Sequence, residues 1–195
     1  MNARSTEMSA TDDVIDLLLR QHAQIRDLFL LVTTSTGTER REAFDRLVRL
    51  LAVHETAEEQ IVHPMSRRSL AGGDGVVLDR LHEEEMSKAL LSELDRMPTD
   101  DPRFVPLLNH LRVDVLTHAR AEERLEFGRL HEDLGDAERK GLAVALRAAE
   151  AIAPTHPHPG VEGAIENLLL GPALALADRL RDLIKEAMRE SPSEG

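Results

Sequence analysis

The stretch HETAEEQIVH, residues 54–63, lies inside a longer pattern of Leu47, Leu51, His54, Glu58, Ile61 and Met65. These positions step by three and four, so they share one stripe of a single helix, and a His and a Glu interrupt it on the side meant for a core. Four residues turn a helix by about 400°, which leaves the His54 imidazole and the Glu58 carboxylate about 40° apart and one turn along. Both can reach the same ion. By the same count His63 lies about 180° round from His54 and is expected to face away.

A second version of this text, HARAEERLEF at residues 118–127, sits in the stripe Phe104, Leu108, Leu111, Val115, His118, Glu122, Leu125. A buried ionised Glu is costly unless it is paired or coordinates a metal, and two such placements in one small domain call for a common cause. A metal centre supplies it.

Composition limits what that centre is made of. The 195 residues suffice for one domain with a sizeable core plus an extension. With no Cys, disulfides, thiolate zinc sites and iron–sulfur clusters are excluded, and any metal is held by nitrogen and oxygen. There is no apolar run of bilayer length and no basic-then-apolar leader, so the chain reads as cytoplasmic, with no membrane partner. A net charge of −12 argues against nucleic acid, and four Phe without Trp or Tyr leave nothing for base stacking.

Along the chain, residues 1–11 are small and polar and read as a disordered N-terminus. Helix one starts at Thr11, Asp12 and Asp13, carries the stripe Ile15, Leu18, His22, Ile25, Phe29, Val32, and ends in TTSTGT. Helix two spans about residues 39–63 and is expected to stop at Pro64. After the AGGDG turn at 71–75, helix three spans about 76–97 with Leu78, His82, Met86, Ala89 or Leu90, and Leu94 inward. Helix four spans about 103–130. The expected fold is all-α, an antiparallel up-down four-helix bundle over residues 12–131. Each half repeats the order of one His followed by HxxxE, which implies approximate two-fold symmetry.

The order His22, His54xxxGlu58, His82, His118xxxGlu122 resembles the hemerythrin-like, or HHE cation-binding, family of diiron proteins. That resemblance implies that His22 and His54 ligate one iron, His82 and His118 the other, and Glu58 and Glu122 bridge them with an oxo or hydroxo group. Imidazole and carboxylate without thiolate suit iron or manganese, and ligand type alone also admits zinc. Two departures separate this chain from the oxygen carriers of the family. Met86 stands one turn after His82 where they have a second His, and HxxxE replaces HxxxxD, with Glu123 at the alternative spacing. Glu55 and Glu123 are candidates for an additional ligand. The expected function is a reactive diiron protein handling peroxide, dioxygen or nitric oxide, foremost a catalase-like disproportionation of hydrogen peroxide. The alternative is a module that binds or senses oxygen or iron without turnover.

Residues 132–195 read as a helical extension. An Ala-rich helix at 136–153 precedes the linker PTHPHPG at 154–160, and a broad apolar face from Leu174 to Met188 suits docking on the bundle, on a second copy in a homodimer or on a protein partner.

Overall fold

The computed structural model describes residues 12–152 and Asp182. The expected disordered segment 1–11, the linker at 154–160 and the C-terminal apolar face lie outside the described residues. The elements are α1 (Val14–Thr34), α2 (Gly37–Ala57), a π-helical turn (Glu58–Val62), α3 (His63–Ser69), α4 (Gly73–Asp95), α5 (Phe104–Leu125), α6 (Phe127–Asp133) and α7 (Asp136–Ile152). α1 packs on α2, α3 on α4, α4 on α5, and α5 back on α1, which closes a four-helix bundle. The fold is all-α, as the periodicity requires. Among the described residues no helix is long and apolar enough to cross a membrane.

Local signals fix the ends. Asp13 caps α1 in a reciprocal capping box with Asp16. The same Asp13 accepts from Arg139 Nε at 2.9 Å, so the cap of α1 also anchors α7. At the α3–α4 turn Gly72 has φ +74°, and Gly73 packs so closely that an added Cβ would lie 2.2 Å from the Ser66 carbonyl oxygen. Only a glycine accommodates that approach.

Two helices depart from the expected regularity. Pro64 does not stop the second helix, which runs on to Ser69 through the π-helical turn. A wider turn already sacrifices part of the hydrogen-bond ladder, and Pro64 falls in the first turn of α3, where its missing N–H costs least. The fourth helix is kinked at Glu126, whose N–H still bonds to the Glu122 carbonyl at 2.8 Å. The kink leaves Leu125 exposed, against expectation, and turns Glu126 and Phe127 inward.

Two apolar clusters fill the bundle. One contains Leu18, Ala57, Ile61, Phe127, Leu142 and Leu146, and seats α7 on the body. The other contains Ile25, Phe29, Phe44, Leu51, Leu94, Phe104, Leu111 and Val115. Between Leu18 and Ile25 on α1 lies His22; between Leu51 and Ala57 on α2 lies His54; between Val115 and Phe127 on the fourth helix lie His118 and Glu122.

Candidate metal centre

These polar residues form one layer between the two clusters. His22, His54, Glu58 and Glu122 are buried, and Glu58 and Glu122 are both 0% exposed. His54 Nε2 lies 2.8 Å from Glu58 Oε1. His22 Nε2 lies 3.6 Å from Glu58 Oε1 and 3.6 Å from Glu122 Oε2. On the other side His118 Nε2 lies 3.8 Å from Glu58 Oε2 and 3.4 Å from Glu122 Oε1. Among the described residues two ligand groups result, His22 with His54, Glu58 and Glu122, and His118 with Glu58 and Glu84, each with its donor atoms within 4.8 Å of one another. Glu58 belongs to both.

Each imidazole is held from behind. His22 Nδ1 donates to Glu123 Oε1 at 2.8 Å, His54 Nδ1 to Gln21 Oε1 at 2.8 Å, and His118 Nδ1 to Glu83 Oε2 at 3.0 Å. With the proton on Nδ1, a neutral ring presents a bare Nε2 lone pair to the interior, where it meets carboxylate oxygens that are also acceptors. Acceptors facing acceptors in a dry layer require a cation or protons between them. Consistently, the inward atoms His22 Nε2, His118 Nε2 and both oxygens of Glu58, Glu84 and Glu122 have no hydrogen-bond partner. The donor set therefore fits a hard or borderline metal ion bound through nitrogen and oxygen.

His82 is not part of this layer. It is exposed, as are Leu78 at 63% and Met86 at 54%, so the first three turns of the α4 face expected inside point to solvent, while Leu90 and Leu94 still pack on the core. The buried stripe of α4 is Val77, Arg80, Glu84, Ser87, Leu91 and Leu94. It brings Glu84, two residues on from His82, to the centre. His63, expected to face away, is buried with Nε2 3.2 Å from Glu84 Oε1. The π-helical turn takes up one extra residue, which rotates His63 back toward the side that carries His54 and Glu58. Glu123 stands behind His22 as a hydrogen-bond acceptor rather than in the layer. Glu55 lines the pocket beside the layer and lies 3.4 Å from Lys88 Nζ.

The electrostatics are those of crowded carboxylates in a dry place. Burial disfavours the charged form of His22, but Glu122 and Glu58 outweigh it and push its pKa up to about 10. His118 is pushed up to about 12 by the same pair, again against burial. Burial opposes ionisation of Glu58, yet His54, His118 and His22 hold it well below the usual carboxylate range. Burial and the charge of Glu58 push Glu122 the other way. Glu55 rises to about 8, chiefly from burial.

A pocket opens onto the layer. Ile25, Leu51, Val115, Leu116 and Ala119 make its apolar wall, and Glu55, Glu84 and Ser87 its polar side. On its far side the ring of Phe127 stacks on His22, with centroids 5.5 Å apart and planes 15° from parallel.

Comparison with known proteins agrees with this arrangement. Residues 13–130 match the Hemerythrin HHE cation binding domain family. The crystal structure of a Hemerythrin HHE cation binding domain-containing protein from Mycobacterium kansasii is similar in fold, with a TM-score of 0.52 at 18% identity, covering 94% of each chain. A DNA nickase of Nostoc sp. is 24% identical over 140 residues, which is 71% of this chain and 39% of that protein. The chain thus spans well under half the length of this curated relative.

Proposed function

Because the chain belongs to the Hemerythrin HHE cation binding domain family, we propose that its buried layer holds a pair of iron ions and that the loaded protein disproportionates hydrogen peroxide. His22, His54, Glu58 and Glu122 would hold one ion, and His118 and Glu84 would hold the other together with Glu58 and Glu122. The observation that carries the reading is that each of these two carboxylates aims one oxygen at His22 and the other at His118. Glu84, beside His63, takes the place that the family resemblance gave to His82.

When bound, a pair of irons supplies an exchange of two electrons, which is what turning two peroxides into dioxygen and two waters demands. The chain's own residues do the rest. Glu58 and Glu122 offset the charge of the ions in a low dielectric, and Glu123, Gln21 and Glu83 fix the imidazole tautomers. Ile25, Leu51, Val115 and Leu116 keep bulk water out. The Glu55 carboxyl lines the pocket beside the layer, placed to accept or release a proton there.

The test is oxygen evolution on adding peroxide to protein of measured iron content. Turnover that scales with iron and is lost in Glu58→Ala supports the reading. Azide or nitric oxide binding to the iron without any oxygen evolution would replace it with a binding or sensing module. The nicking of DNA named for the Nostoc relative is not adopted, since this chain spans 39% of that protein and carries a net charge of −12.

A further inference from the structure

Three carboxylates from three segments converge on one ammonium at the edge of the pocket. Lys88 Nζ lies 3.4 Å from Glu55 Oε2 on α2, 3.2 Å from Glu59 Oε1 on the π-helical turn and 3.6 Å from Glu84 Oε2 on α4. The side chains of Lys88 and Glu59 are 37% and 38% exposed, so this cluster meets solvent. Glu84, by contrast, is 4% exposed and neither of its oxygens has a hydrogen-bond partner. It belongs to the rim and to the buried layer at once.

Carboxylates therefore run from solvent inward: Glu59, then Glu55 and Glu84, then Glu58. Elsewhere the pocket wall of Ile25, Leu51, Val115, Leu116 and Ala119 offers no oxygen to a cation shedding its water. A ferrous ion exchanging water for ligands needs oxygen donors at each stage. We propose that Glu55, Glu59 and Glu84 form the port through which ferrous ion enters, and that the Lys88 ammonium is a resident cation the metal displaces. This rests on the metal-centre reading above. Without Lys88 three carboxylates would crowd one rim; with it, entry costs the breaking of its ion pairs. Loading is then slower than diffusion allows, and its rate is set by Glu59 and Lys88 although neither is a ligand of the bound pair.

The experiment follows uptake, not activity. Full-length protein stripped by chelation is mixed anaerobically with ferrous ion, free metal is followed with a chromogenic chelator, and metal per chain is measured at the end. Glu59→Gln should slow uptake by up to about tenfold and Lys88→Gln should speed it by a similar factor, as expected when a focusing charge or its counter-ion is removed. Both should reach the wild-type endpoint. Unchanged rates in both variants at full loading would overturn the port while leaving the metal centre standing. Failure of the wild type to take up iron would overturn both.

Discussion

Glu58 and Glu122 each span the same two histidines, with Glu58 Oε1 and Glu122 Oε2 both 3.6 Å from His22 Nε2 and their other oxygens toward His118. Replacing Glu122 by Gln keeps the shape and removes one charge and one ligand oxygen. On the proposed two-ion reading, the remaining carboxylate cannot hold both ions against their mutual repulsion. Glu122→Gln should lose at least half of the bound metal, read by metal analysis after gel filtration; full retention would refute a bridging role.

Removing the metal should give a protein whose stability depends on pH in a stated direction. In the metal-free chain His22 is raised to about 10 and His118 to about 12, above their unfolded value near 6.5. A group bound more tightly to its proton in the folded state stabilises fully below the unfolded pKa, and that contribution is lost as pH rises through the folded one. The melting temperature of the chelated protein should therefore fall between pH 7 and pH 10. Metal binding displaces those protons, so the loaded protein should melt higher at pH 7 and lack this decline.

The assignment of α4 is tested by a pair of neighbours. Glu84→Ala should lose metal from the His118 side, and His63→Ala should weaken it by about 10- to 100-fold, the usual effect of removing a partner that orients a ligand. His82→Ala should leave metal content unchanged, and Met86→His should add no ligand because the side chain is 54% exposed. Competition with a calibrated chelator reads all four variants.

Gly73→Ala should destabilise by at least about 1–3 kcal/mol, since its Cβ would enter the Ser66 carbonyl and the backbone of Arg67. Because Gly73 begins the helix that carries Glu84, metal affinity should fall with it. Thermal melts with and without iron separate the two losses.

What the sequence made legible follows from how apolar each stripe is. On α1, α2 with its π-helical turn, and α5 the apolar stripes are mostly Leu, Ile, Val, Phe and Ala, and His22, His54 and Glu58, and His118 and Glu122 interrupt them, so the interruptions stood out; Gln21, buried beside His22 on α1, did not. On α4 the buried face carries Arg80, Glu84 and Ser87. The exposed one carries Leu78 and Met86, so hydrophobic periodicity selected the wrong side and took His82 with it. Arg80 is buried beside Glu126, with Nε 3.5 Å from Oε1, and a further partner of Glu126 is the Ser66 hydroxyl at 2.6 Å. Such pairing across helices leaves no mark on a stripe. The π-helical turn was hidden because Glu58, Ile61 and Met65 also suit a regular helix. The available signal was Pro64 inside a pattern that runs on to Met65, which requires the ladder to lose a bond there.

The charged layer also divides the molecule's unfolding. The cluster around Phe127 and Leu142 and the cluster around Phe29 and Phe104 are apolar bodies joined through the helices but separated by the layer of His and Glu side chains. Local opening proceeds in contiguous cooperative units, and a charged layer between two apolar bodies is where such units part. Amide exchange in the chelated protein should then fall into two classes, one for each cluster. Filling the seam with metal would merge them into a single global transition, making the bound metal a determinant of cooperativity as well as of chemistry.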